Sequence, residues 1–208
     1  MNMAELCVRA AHSDEWEIGG ELILETLYGF GAYLMGLGDQ VRAAQALGKY
    51  FHLKHNRFSH QVSYFAELNG SLAGLLLAFP GREFAARNLA TALQMLRVYS
   101  PKEVCEYVKR AFILRDEEEV SRDEFYIAHL AVDSQFRRRG VGRALLAHAQ
   151  KLAAERGLRK LALMVEDENH GGQKLYRQVG FVVVKTYSHP HQMQFTGSPG
   201  YVKMIKDI

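Results

Sequence analysis

Cysteine, proline and tryptophan are scarce in this chain, with two, four and one residues respectively in 208. The two thiols, Cys7 and Cys105, stand far apart within segments of strand or helix character, so a disulfide-stapled scaffold is excluded and a reducing, cytoplasmic setting is expected. An excess of one charge is also missing: the formal net charge is only +3, which gives no global electrostatic drive toward nucleic acid or a membrane surface. No long apolar run exists. The nearest approach, Leu22 to Leu37, is interrupted by Glu25, Gly29, Gly31 and Gly36 and falls short of the roughly 20 apolar residues that span a bilayer, so a buried or pocket-lining helix is expected there. The basic, apolar and small-residue pattern of an export signal is absent too, with Glu5, Asp14, Glu15 and Glu17 arriving early, and export is not expected. Repeats and low-complexity stretches are lacking.

What is there suffices for a core without metals or disulfides: 48% of the residues are hydrophobic, in a length that fits one domain over 1–208. Glu5 to Arg9 reads as a short strand, after which Ser13 or Asp14 can cap a helix whose glycines end or bend it near Phe30. A second helix is expected over Gln40 to Phe51. Val62 to Leu68 and Ser71 to Phe79 read as strands joined by Asn69-Gly70, the pair that best tolerates the positive φ angles of a type I′ turn. Arg82 to Val98 is helical in character, with Phe84, Leu89, Leu93 and Leu96 as its apolar stripe. Ser100-Pro101-Lys102-Glu103 combines a capping box with proline at the first helical position, starting a helix that runs to about Leu114. The acidic run Asp116 to Glu119 reads as a solvated loop.

Two nearly continuous apolar runs follow, Phe125 to Val132 and Leu161 to Val165, separated by a helix from about Gly140 to Arg156 with Gly157 at its end. That is a β-α-β unit with a buried sheet. A short helix over Gly171 to Val179 and strands over Phe181 to Tyr187 and Tyr201 to Ile205 complete the chain.

Between the first of these strands and its helix lies Arg137-Arg138-Arg139-Gly140-Val141-Gly142. Two glycines there let consecutive backbone N–H groups turn inward as an anion nest, and the helix dipole and arginines add to the attraction, so a diphosphate is the natural guest. Taken alone the turn could equally be a surface turn with basic neighbours. It is not a Walker A loop, since no Gly-Lys-Ser/Thr follows, nor a dinucleotide fingerprint, since the third glycine is missing.

Arg137-x-x-Gly140-x-Gly142 after Leu130-Ala131-Val132 resembles the pyrophosphate loop of the GNAT (GCN5-related N-acetyltransferase) superfamily. Val165-x-x-x-Asn169-x-x-Gly172-x-x-Leu175-Tyr176-x-x-x-Gly180-Phe181 resembles its second motif, with Gly172 where the family usually has alanine. The resemblance implies an α/β (α+β) fold with a mixed, twisted central sheet of six to seven strands flanked by helices, here with an extra helical segment, 82–114, between strands 3 and 4. It implies transfer of an acetyl group from acetyl-CoA to a primary amine of a small molecule or peptide, by direct attack and without a metal. Cofactor contacts are implied for Leu130, Ala131, Val132, Arg137, Arg138, Arg139, Gly140, Val141, Gly142, Arg143, Asn169 and Tyr176. The fourth and fifth strands should part to admit the pantetheine arm, which pairs with Leu130 to Val132 while a backbone N–H there polarises the thioester carbonyl.

Tyr176 matches the tyrosine that faces the cofactor sulfur, where its protonated phenol acts as general acid; on residue type alone it is also an ordinary core aromatic. Asn169 is at once a cofactor contact and an N-cap. The attacking ammonium must first lose a proton. Family bases on the fourth strand fall at positions matching Tyr126 or Ala128, neither of which is a base here, so Glu124 acting through water is the expected one. Simple alternation sets Tyr126, Ala128, Leu130 and Val132 on one face and turns His129 and Ala131 to the other, helix-covered face, which makes His129 a packed residue. His189-Pro190-His191 lacks a carboxylate or cysteine companion and reads as part of a substrate-side loop rather than a metal site. The acceptor pocket is expected from Phe30 to Gly38, the extra helices and Ser188 to Gly200, and the extra helices cover that pocket, form a homodimer contact or simply pack against the sheet. Two other classes stand beside this reading: an acyl-CoA-binding sensor without turnover, and a basic nucleic-acid module on Arg137 to Arg139, Arg143, Arg156, Arg159 and Lys160, against which the low net charge counts.

Overall fold

A computed structural model describes residues 5–114 and 119–208, so Asp116, Glu117 and Glu118 of the acidic run lie outside the described residues. Seven strands form one sheet in the order β1-β2-β3-β4-β5-β7-β6. They are β1 (Leu6–Ala10), β2 (Ser63–Leu68), β3 (Ser71–Pro80), β4 (Glu124–Val132), β5 (Lys160–Glu166), β6 (Val182–Ser188) and β7 (Gly200–Asp207). Among the described residues every neighbouring pair is antiparallel except β4 with β5. The hairpin turns as expected, with φ of +53° at Asn69 and +78° at Gly70. No helix among the described residues is long and apolar enough to cross a membrane.

One face of the sheet is covered by α7 (Val141–Glu155), whose Val141, Leu145 and Ala149 pack on Leu76, Ala78, Phe125 and Ile127. The opposite face carries α1 (Trp16–Glu25) and α3 (Gln40–His52), which bury Ile23, Leu47 and Phe51 against Phe65, Leu75, Leu77 and Tyr126. The Asp39 side chain caps α3 by accepting from the Arg42 N–H at 2.7 Å. The first helix ends at Glu25, before the glycines expected to stop it. The chain then passes Tyr28 at φ +46°, the one-turn α2 (Tyr28–Phe30) and a π-helical turn over Gly31–Met35, the wide-turn geometry that tends to mark functional segments.

The extra segment between β3 and β4 forms α4 (Phe84–Leu93), α5 (Met95–Val98) and α6 (Pro101–Leu114). The capping box holds, with the Glu103 carboxylate accepting from the Ser100 N–H at 2.8 Å. The expected stripe does not face the core. Only Phe84 turns inward, while Leu89, Leu93 and Leu96 are all more than 60% exposed, because α4 and α5 lie over one end of a cavity rather than flat on the sheet. A short α8 (His170–Gln178) follows β5, and α9 (Met193–Thr196) precedes β7.

Candidate active site

Parallel pairing between β4 and β5 lasts only from Glu124↔Lys160 to Ile127↔Leu163. Beyond that rung β4 continues to Val132 and β5 to Glu166 without each other, leaving a gap in the sheet. The parting coincides with an irregularity in the β3–β4 register: Leu77 faces His129, yet the next residue, Ala78, faces Ile127. Ala128 is therefore a surplus residue, a β-bulge, and a bulge bends its strand.

That bulge overturns the face assignment made from simple alternation. Tyr126 opposes Phe79 and His129 opposes Leu77, and both Phe79 and Leu77 belong to the α1/α3 side. Tyr126, Ala128, His129 and Ala131 thus share one side, whereas Leu130 and Val132 pack with Phe125 and Ile127 on the α7 side. Each residue after the surplus one has changed faces.

A cavity of about 1110 Å³ runs through the gap. At one end it is lined by Arg137, Arg138, Gly140, Val141, Gly142 and Arg143 together with Asn169. Arg138 at φ +62° and Gly140 at φ +86° turn the backbone ahead of α7, so the first N–H groups of that helix point at the cavity with the positive end of its dipole. A side chain at Gly140 would meet nothing within 4 Å; it is the backbone angle that calls for glycine there. Gly142 answers to packing instead, since an added Cβ would sit 2.9 Å from Leu175 Cδ2. Arg137 Nε donates to the Val132 carbonyl at 3.3 Å and Arg143 donates to Gln178 at 3.0 Å. Arg139 is the one residue of the expected loop set outside the lining; its guanidinium lies over Phe136.

Midway, Leu130, Ala131, Val132, Val165 and Tyr176 line the gap. The Asp133 N–H donates to Ala73 on β3 at 3.1 Å, and the Ala131 carbonyl lies against Gly74 of the same strand. Alternation then turns the peptide groups of Leu130 and Val132 toward the gap, and that of Ala131 away from it. The Asn169 side chain caps α8 by accepting from the Gly172 N–H at 2.8 Å. A Cβ on residue 172 would stand 2.9 Å from that amide, which accounts for glycine in place of the family's usual alanine. Burial, with a smaller contribution from Tyr28, pushes the Tyr176 phenol up to about 12, so it stays protonated at neutral pH. At the mouth, burial lifts the Glu25 carboxyl above its ordinary range against the pull of Arg137.

The far end lies on the α1/α3 side under α4 to α6 and is lined by Met35, Tyr50, Phe58, Phe84, Met95 and Tyr107 among others. His129 stands between this end and the gap, 4% exposed, with its ring stacked on Phe58 at 5.6 Å. Its Nδ1 is 2.7 Å from Thr26 Oγ1, which is itself 2.7 Å from the Ile23 carbonyl. A carbonyl can only accept, so the single hydroxyl proton of Thr26 goes to Ile23 and His129 Nδ1–H must be the donor in the other bond. In the neutral ring the Nε2 then carries the lone pair.

Glu124, expected to serve through water, does not join the site. It is 3% exposed on the paired part of β4, within 2.8 Å of the Lys203 ammonium, and it accepts from the Ser121 N–H at 2.9 Å. The acceptor pocket also differs from expectation at one wall. No described residue of Ser188–Gly200 lines the cavity; Phe195 instead packs its ring, tilted, against Tyr33 at 4.6 Å and backs the π-helical turn from outside. His189 stacks on Tyr201, and among the described residues no three His, Cys, Asp or Glu side chains gather closely enough to hold a metal ion. Sequence reasoning missed Thr26, Phe58 and Lys174. Of these only Lys174 carried a signal, a cation within the second motif, and it lines the cavity from α8.

Comparison with known proteins agrees with the family resemblance and the fold. The model of the acetyltransferase (GNAT) family matches residues 37–181. GCN5-related N-acetyltransferase 4, chloroplastic, of Arabidopsis thaliana is 37% identical over 60 residues, a stretch that takes in 29% of this chain and only 21% of that protein. Among solved structures, an N-acetyltransferase from Staphylococcus aureus Mu50 superposes with a TM-score of 0.71 at 19% identity, covering 96% of this chain and 99% of its own. The PaiA N-acetyltransferase of Thermoplasma acidophilum in complex with coenzyme A does so at 0.54 and 12%, covering 98% and 99%. At such identities the structural likeness speaks for the fold alone.

Proposed function

The chain belongs to the acetyltransferase (GNAT) family, and from that premise we propose that it moves the acetyl group of acetyl-CoA onto a primary amine by direct attack. The observation that carries this reading is the continuous cavity that begins at the Arg137–Arg143 loop, passes between the parted strands β4 and β5, and ends on the opposite side of the sheet beside His129. A diphosphate fits the first end, an extended pantetheine arm fits the gap, and a PaiA structure of like fold is a complex with coenzyme A.

In this reading the amine nitrogen attacks the thioester carbonyl and the C–S bond breaks. The outward peptide N–H of Leu130 or Val132 stabilises the oxyanion, a contribution of roughly 10²–10³ in rate per donor. Tyr176 gives its proton to the departing thiolate and regains one, through water, from the acylated nitrogen, which sheds its second proton as the amide forms. The ammonium proton of the acceptor goes to Nε2 of His129, whose ring is oriented by Thr26, so His129 takes the role first expected of Glu124. Neither cysteine lines the cavity, and both are exposed free thiols, which suits a one-step transfer in a reducing compartment.

The test couples calorimetric titration with coenzyme A to thiol release from acetyl-CoA in the presence of amines. Tyr176→Phe is expected to lower kcat by about 10², and His129→Ala to lower kcat/KM by roughly 10²–10⁴ while coenzyme affinity stays at the parent value. Unchanged rates in both variants, or no coenzyme binding at all, would sink the reading.

A further inference from the structure

The far end of the cavity is built from rings. His129 stacks on Phe58 at 5.6 Å, Phe58 meets Tyr50 at 5.8 Å, and across the chamber Phe84 stands edge-on to Tyr126 at 5.9 Å. The thioethers of Met35 and Met95 fill the corners between them. Four of these walls come from the core itself: Tyr50, Phe58, Tyr126 and Met35 are all nearly inaccessible to solvent. The rest come from the extra helices, with Phe84 on α4, Met95 on α5 and Tyr107 on α6.

Such a lining is poorly suited to a hydrated, many-armed amine. A hydroxyl pushed among ring faces gives up water with only Asn88, Thr91 and the phenols as polar neighbours, and an ammonium recovers only part of its hydration from the ring faces, whereas a flat apolar group exchanges water for ring contact. The Arg57 guanidinium does not change that balance, because it already lies over both Phe58 and Phe84, 5.4 and 5.6 Å from their centroids, and acts as part of the wall. The phenol of Tyr107 is likewise engaged, 3.8 Å from Met35 Sδ.

Resting on the acetyl-transfer reading above, we propose that the acceptor is a primary amine carried on an aromatic ring by a short flexible linker, and that the chamber under α4 to α6 is its specificity site. The ring of the substrate lies among Tyr50, Phe58, Phe84 and Met95. Its linker brings the amine back to His129, which is itself one of the stacked rings and so sets both the floor of the chamber and the place where the amine gives up its proton. The extra helices between β3 and β4 thus serve as a roof over a small-molecule pocket.

The experiment compares acceptors of similar basicity with acetyl-CoA saturating: 2-phenylethylamine and tryptamine, n-butylamine, spermidine, and a lysine-containing peptide. The expected result is a kcat/KM for the two aryl amines roughly 30-fold or more above that of n-butylamine, the scale set by burying one aromatic ring. That preference should shrink about tenfold in Phe84→Ala and in Met95→Ala, each read as the aryl-to-alkyl ratio so that a general loss of activity cancels. Preference for spermidine or the peptide, or an aryl-to-alkyl ratio near one in the parent, overturns the proposal and leaves acetyl transfer standing. Absence of thiol release with every acceptor overturns the proposal and the amine-transfer reading together, and coenzyme A titration then shows whether the coenzyme site survives.

Discussion

Replacing Glu124 with alanine separates a structural carboxylate from a chemical one. In the folded chain the Glu124 carboxylate lies 2.8 Å from Lys203 Nζ through one oxygen and 3.0 Å through the other, and the two side chains are only 3% and 7% exposed. Removing the acid leaves an ammonium ion in an apolar sheet with its partner gone, a change that typically costs about 3–5 kcal/mol. It also strips the Ser121 N–H of its acceptor. For a domain of this size each kcal/mol shifts the melting temperature by about 2–4 °C, so a fall of roughly 6–20 °C is expected. Calorimetric melting checks this, and turnover at low temperature, where the variant is folded, should keep the parent kcat and the parent pH profile. Glu124→Leu combined with Lys203→Met, which removes both charges and keeps the bulk, should recover most of the lost stability. The reasoning is refuted if Glu124→Ala melts within about 2 °C of the parent while kcat collapses.

Thr26→Val frees the His129 ring from its hydroxyl while the Ile23 carbonyl keeps the backbone N–H of residue 26; kcat should drop about tenfold, the loss of one hydrogen bond, with coenzyme KM unchanged and Thr26→Ser restoring the rate. Gly140→Ala has room for its methyl but must hold φ at +86°, a strain of about 1–2 kcal/mol, seen as a coenzyme Kd raised about tenfold in calorimetry. Burial pushes the Tyr176 phenol up to about 12 and raises Tyr50 and Tyr99 as well. Because the unfolded chain loses these protons first, near pH 10, stability holds below that point and drains above it by about 1.4 kcal/mol per pH unit for each phenol. Urea melts between pH 9 and 11 measure this, and Tyr176→Phe should flatten the slope by one phenol's share.

Features that depend on neighbours in sequence are legible in the residue types alone. The Asn69-Gly70 turn, the Ser100–Glu103 cap and the strand-loop-helix around Gly140 each rest on residues a few positions apart, and each folds as its residue types require. What escapes such reading depends on distant partners. Glu124 reads as available because the ammonium that claims it lies 79 residues downstream. Leu89, Leu93 and Leu96 have helical spacing, but periodicity says which residues share a face and is silent on what lies opposite. Alternation sends His129 to the wrong side because it presumes an uninterrupted ladder, and no residue type marks Ala128 as surplus. Thr26 carries no signal at all, since its meaning comes wholly from the ring it touches.

That surplus residue has a consequence for how relatives of this chain change over time. A kink that slides one position along a strand reassigns every residue beyond it to the opposite wall, with no substitution in the coenzyme loop and little disturbance of the hydrophobic layers. Proteins that align column for column through this segment can therefore aim different side chains at their substrates. The place to look for a change of reactive group is the ladder offset, not the letter in the column.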